Sequence, residues 1–179
     1  MTGLLNGLIG LLTLIYPATV YFGTQYTEPR WIAASLCFLL LLRLAQGKHP
    51  MRPLLLAAIA YAVFAAWSNQ LLTLYYYPVV INAAMLLLFT ASLFYPPSII
   101  ERLARVQQPN LSPQGVLYTQ RVTQIWCVFF LMNGAIAWLT VLWGNAEIWS
   151  LYNGLIAYLL MGALFGGEYL FRRKTRMSV

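Results

Sequence analysis

LLTLYYYPVVINAAMLLLFTASLFY, residues 71–95, runs for 25 positions without one Asp, Glu, Lys or Arg. The hydrocarbon core of a bilayer takes about 20 apolar residues, with a range of about 17–25, so this run is long enough to cross it. Its apolar residues are continuous rather than alternating, which excludes a barrel strand. Backbone groups surrounded by lipid must bond within their own segment, so the run is expected to be a helix. Working outward, apolar runs of similar kind occupy residues 3–22, 31–46 and 53–68 before it and 122–143 and 148–171 after it. The expected fold is therefore all-α: a polytopic membrane protein with six transmembrane helices, forming one integral membrane domain over residues 1–179.

Composition agrees. The chain is 61% hydrophobic and 8% charged, where a soluble domain carries about 25% charged residues. So few charges do not clothe a water-facing surface of this size, and the lipid bilayer is the expected partner. The net charge of +7 does not indicate nucleic acid, because the basic residues flank apolar runs. Crossing the six runs in turn puts Arg43, Lys48, Arg52, Arg102, Arg105, Arg121, Arg172, Arg173, Lys174 and Arg176 on one side and only Arg30 on the other. A bias of that kind marks the cytoplasmic face, where cations also meet anionic lipids. Both termini are thus expected in the cytoplasm of a bacterial cell, with the chain in its inner membrane. Trp31, Trp67, Trp143 and Trp149 fall near the expected outer interface, a level that indoles favour. The first run lacks a basic leader and reads as a span rather than a cleaved signal. Cys37 and Cys127 lie at different expected depths, so no disulfide is expected.

The third and fourth runs are joined by Ser68-Asn69-Gln70 and the fifth and sixth by Gly144-Asn145-Ala146-Glu147, connections short enough to force antiparallel neighbours. The long connection is the cytoplasmic linker 96–121. Pro96-Pro97 ends the fourth helix. After it, Ile99, Leu103 and Val106 share one helical face while Glu101, Arg102 and Arg105 point elsewhere, which predicts a short helix lying on the inner leaflet. Pro109 and Pro113 predict irregular chain beyond it.

The residue types that carry catalysis are scarce. Asp is absent, His49 is the only histidine, and no nucleotide-binding or zinc-binding spacing occurs. No enzyme, cofactor or metal is expected. Glu168 is the ionisable group of most interest: a carboxylate near the bilayer is costly and often functional, yet Arg172 stands four residues on, in the favourable order for a simple ion pair. Asn82, Asn133 and Asn153 lie in three different runs. Amides there either bond across helices or, for Asn133 and Asn153, line a polar pocket with Tyr152 and Tyr158, with Tyr75-Tyr76-Tyr77 and a loosened turn at Pro78 as an aromatic lining. Gly154, Gly162 and Gly166 recur at intervals of four, a spacing that lets another helix approach, in the same chain or in a second copy.

Pro97, Ile100-Glu101-Arg102, Leu111-Ser112-Pro113, Arg121, Trp126, Phe129-Phe130, Asn133-Gly134 and Trp149 four residues before Asn153 together resemble the YciB family, the bacterial septation protein A or inner-membrane-spanning proteins. The resemblance runs from Pro97 onward; the first half shares only the span layout. A lysine of that family's last span appears here as Asn153, and the lysines and Asp of its outer spans have no counterpart. Arg121-Val122-Thr123-Gln124-Ile125-Trp126-Cys127 and Tyr152-Asn153-Gly154-Leu155-Ile156 are similar to a sister group of small membrane proteins associated with aryl polyene (xanthomonadin-type) pigment clusters, beside acyl carrier proteins and ketosynthases. The resemblance implies a role in envelope biogenesis. Given it, Arg102, Arg105 and Arg121 are candidates for docking an acidic acyl carrier protein or envelope-assembly protein on a basic face, or they serve topology alone. The expected function is a non-enzymatic membrane scaffold for acyl-carrier-dependent lipid or polyene assembly. The alternative is a small transporter or flippase for a lipid-linked product, in which Asn133, Asn153 and Glu168 would line a continuous cavity.

Overall fold

The computed structural model describes residues 16–45 and 52–174. Residues 3–15 of the first expected span, the end of the second at Gln46, the loop with Lys48 and His49, and the tail with Arg176 lie outside the described residues. Within them the elements are α1 (Tyr16–Gly23), α2 (Pro29–Ala45), α3 (Arg52–Ser68), α4 (Leu71–Phe94), α5 (Ile99–Gln107), α6 (Pro113–Trp143) and α7 (Ala146–Leu151), then a π-helical turn (Tyr152–Ile156) and α8 (Ala157–Lys174). Among the described residues, three helical segments are long and apolar enough to cross a membrane: Leu71–Phe94, Pro113–Trp143 and Ala146–Arg173; Leu54–Ser68 is a shorter apolar helix.

Contacts divide the chain into two compact units: the described residues up to Ile81 with Ala137–Ile156, and Asn82–Ile136 with the described residues from Ala157 onward. In the first, α2 packs on α3. The buried residues of α2 are Ile32, Ala33, Leu36 and Leu40, a single helical stripe, and α3 answers with Ala58, Ala62 and Ala65. Three alanines at intervals of four and three let the two backbones approach closely. Large side chains such as Phe38, Leu41, Phe64 and Trp67 instead face outward. Small residues inside and bulky apolar ones outside is the arrangement lipid favours, since hydrocarbon drives no burial of leucine.

Local chemistry sets the turns. Asn69 has positive φ of 49°, which asparagine tolerates, and its Oδ1 accepts the Arg30 backbone N–H at 3.0 Å. Tyr61 Oη donates to the Thr73 carbonyl at 2.6 Å, and the Ser68 and Thr73 hydroxyls meet at 3.1 Å, tying α3 to α4. After α6, Gly144 takes the left-handed conformation at φ 67°, where a side chain would be strained. Asn145 then caps α7 by accepting from the Glu147 and Ile148 N–H groups.

Two expectations are corrected here. The irregular part of the 96–121 linker is far shorter than expected, because α6 begins at Pro113. Proline suits the first helical position, where no amide donor is needed, and Ser112 Oγ accepts the Gly115 N–H at 3.1 Å; Arg121 is therefore helical. The second concerns Trp149, which does not sit at a surface as Trp31, Trp67 and Trp143 do. It is 1% exposed, its ring 4.7 Å from that of Tyr75 and its Nε1–H donating to the Tyr75 carbonyl at 2.9 Å. That acceptor lies in the turn where Pro78 removes a backbone donor from α4.

Candidate functional site

In the second unit α6 and α8 bound a half-open groove of about 470 Å³, within the usual range for small-molecule sites. Val122, Ile125 and Trp126 form one wall, and Ala163, Leu164, Gly167 and Phe171 the other. Its polar groups gather where Tyr118, Arg121 and Glu168 line it. Tyr118 Oη donates to Glu168 Oε1 at 3.0 Å, while the Arg172 Nε lies 4.0 Å from the same oxygen. The phenol thus holds the carboxylate more tightly than the i, i+4 pair expected from the sequence. The Tyr118 and Phe171 rings lie nearly parallel, 6.3 Å apart, which fixes the phenol from its other face. Trp126 packs on Phe165 at 4.6 Å and, with Phe89 and Phe130, builds the aromatic support beneath. Tyr118 and Glu168 also border a smaller hollow of about 150 Å³ lined by Ile100, Leu103 and Ala104 of α5.

The intramembrane asparagines are engaged elsewhere. Asn133 Nδ2 donates to Asn82 Oδ1 at 3.0 Å, both side chains buried. Asn153 sits in the π-helical turn, where a widened helix loosens the backbone ladder. Its Nδ2 donates to Thr140 Oγ1 at 3.2 Å and to the Trp149 carbonyl at 2.9 Å. Neither lines the α6–α8 groove; Tyr152 is buried and Tyr158 half-buried. Tyr75, Tyr76 and Tyr77 pack against the apolar core of the first unit, Tyr77 with its ring 4.9 Å from Tyr16, rather than lining a passage.

No family model matches the chain, and neither a curated protein nor a solved structure matches it.

The three candidate docking arginines divide. Arg102 Nε donates to the Pro97 carbonyl at 2.7 Å and Arg105 makes a two-pronged bond to Glu101 Oε1 at 2.9 and 2.7 Å and a third to the Pro109 carbonyl. Both thus brace the segment around α5. Arg121 is exposed and bonds to nothing among the described residues. Leu103 and Val106 face outward as an interfacial helix requires, but Glu101 turns inward and is 4% exposed. Glu101 thus lies off the Leu103–Val106 face, as expected, but turns inward while Arg102, placed with it, stays exposed. The signal was present: Ser98-x-x-Glu101 has capping-box spacing, and Ser98 Oγ does accept the Glu101 N–H. Tyr118 carried no such signal, since its partner lies 50 residues away.

The glycines divide as well. A Cβ on Gly154 would rest 3.6 Å from Pro17, an ordinary packing contact. At Gly162 and Gly166 it meets nothing within 4 Å among the described residues. The close approach occurs instead at Gly134, where a Cβ would lie 3.0 Å from Asn82 Cβ. Gly162→Ala and Gly166→Ala should each raise stability by up to ~1 kcal/mol through helix propensity. Gly134→Ala should lower it by about 1–2 kcal/mol, because α4 and α6 must part against a rigid Cβ. Unfolding in detergent micelles reads the signs; a loss at Gly162 or Gly166 would mean that another helix packs against them.

Proposed function

We propose that this is a non-enzymatic, six-span protein of the bacterial inner membrane, with both termini cytoplasmic, that serves as a scaffold in envelope biogenesis. The observation that carries the reading is how its intramembrane polar groups are spent. Asn82 with Asn133, and Asn153 with Thr140, bond to one another, which holds helices in register as a scaffold requires and commits these amides to packing rather than to a conduit. The chemistry-poor composition supports the absence of catalysis, and the resemblance of the segment from Pro97 onward to YciB-type proteins supports the envelope role. Kinship with the aryl polyene-associated sister group, and an acyl carrier protein as partner, belong to the same proposal.

Helix lengths support the topology. α6 has 31 residues, about 46 Å at 1.5 Å per residue, against a hydrocarbon core of about 30 Å. With Trp143 at one interface, Arg121 reaches the other. α2 and α3, each of 17 residues, extend about 26 Å and span with slight thinning of the bilayer.

Reporter fusions at Asn69 and after Val179 are expected to report opposite compartments; a shared compartment would refute the six-span reading. For the partner, a photocrosslinker at Asn110, exposed between α5 and α6, should capture purified acyl carrier protein at low salt and release it at high salt, since the Debye length shortens from about 10 Å at 0.1 M to about 3 Å at 1 M. Absence of that product at low salt would remove the carrier from the proposal.

A further inference from the structure

We propose that the groove between α6 and α8 is a binding site for an anionic phospholipid, seating one acyl chain along its apolar walls and the phosphate against Arg121. It rests on the membrane reading above but assigns a ligand that scaffolding does not require.

The charge balance at the groove identifies the headgroup. Glu168 is already satisfied by the Tyr118 hydroxyl at 3.0 Å and faces the Arg172 guanidinium at 4.0 Å. Arg121 lines the same groove and bonds to nothing among the described residues. Arg172 answers Glu168, so Arg121 adds one positive charge to the groove lining that a phosphate can take. A zwitterionic headgroup would bring its ammonium into the same basic surroundings and gain less. Guanidinium matches phosphate geometry with paired donors, and basic pockets between membrane helices on the cytoplasmic side are where anionic headgroups bind.

The walls identify the tail. α8 presents Ala163 and Gly167 to the groove, residues with a methyl or nothing where larger side chains would fill it, and a Cβ at Gly167 meets no atom of the described residues. Ile125 and Trp126 face them from α6. Trp126 is held by Phe165 and Phe130, so that wall is fixed before any lipid arrives, which lowers the ordering cost of binding. The result is a narrow apolar trough with a cation at the level of the headgroups, the shape of one phospholipid chain with its phosphate.

The test is native mass spectrometry of the full chain released from nanodiscs containing phosphatidylethanolamine and phosphatidylglycerol. The wild type is expected to retain one phosphatidylglycerol in preference to phosphatidylethanolamine. Arg121→Gln should cut that retention about tenfold, the loss of one charge-assisted bond. Gly167→Leu, whose Cβ meets no atom of the described residues within 4 Å and whose branch enters the trough, should reduce it to background. Arg173→Gln, an exposed cation on the same helix outside the groove lining, should leave it unchanged. Equal losses in Arg121→Gln and Arg173→Gln would reduce the effect to net charge and overturn the site, as would full retention in Gly167→Leu. Should Arg121→Gln fail to fold, Gly167→Leu decides alone, because leucine improves the helix there. Failure of the membrane reading looks different: the chain would then stay monodisperse without detergent and need no nanodisc.

Discussion

Arg105→Met is expected to destabilise the protein by about 2–3 kcal/mol, and adding Glu101→Gln to it should restore most of that loss. Glu101 lies in the third position of α5, beneath the Ser98 cap, with its carboxylate 5% exposed. Removing one partner of a buried ion pair costs about 3–5 kcal/mol, because the other charge is stranded away from water. The lower figure applies here because the Arg105 side chain is 39% exposed, so its half of the pair is partly hydrated whether or not the bond forms. The asymmetry is the useful part. Glu101→Gln alone strands nothing, since Arg105 still reaches water and the Pro109 carbonyl at 3.0 Å, and it should cost about 1 kcal/mol. Chemical unfolding in micelles of the two single variants and the double variant gives the coupling directly. If the double variant is as unstable as Arg105→Met, the carboxylate is not the group being stranded, and the account of the linker fails.

That pair also shows where sequence reasoning stopped short. Apolar run length carried the helices: residues 71–95 and 122–143 needed nothing beyond the bilayer's thickness, and α4 covers the first as far as Phe94 while α6 contains the second. The short helix after Pro97 was legible from the spacing of Ile99, Leu103 and Val106. The direction of Glu101 had only the Ser98-x-x-Glu101 spacing to mark it, against the rule that a carboxylate on an amphipathic helix faces water. The same habit extended the irregular linker past Pro113, since proline after serine reads as a break when it stands equally well as a helix start. Amide partners were not legible: Asn82, Asn133 and Asn153 were expected either to bond across helices or, for the last two, to line a pocket, and nothing in one sequence pairs Asn133 with Asn82 rather than with Asn153. The Tyr118–Glu168 bond joins residues 50 positions apart and has no local trace at all. Charge asymmetry, in contrast, is a property of the sequence, and the orientation proposed above rests on it.

Trp149→Ala should have the largest effect of any single substitution, about 3–4 kcal/mol, and the reason differs from that in a soluble core. In water, truncating a buried tryptophan costs about 3–5 kcal/mol, partly by lost transfer free energy. For helices that separate into lipid the transfer share falls, because hydrocarbon solvates an indole nearly as well as protein does. What remains is dispersion and hydrogen bonding. Trp149 is 1% exposed among Val20, Leu36 and Leu74 of the first unit's core, so truncation forfeits contacts on every side and leaves a void their side chains do not refill. Its Nε1–H is also the donor for the Tyr75 carbonyl at 2.9 Å, in the turn of α4 that Pro78 has deprived of an amide. Trp149→Phe separates the two contributions. It keeps most of the ring against Tyr75 and removes only the donor, and it should cost about 1–2 kcal/mol. Unfolding of both variants in micelles, followed by tyrosine and tryptophan fluorescence, measures the difference. Equal losses for Phe and Ala would mean that the hydrogen bond, not the packing, holds α7 against α4; a negligible loss for Ala would mean that this buried ring carries no part of the first unit's stability.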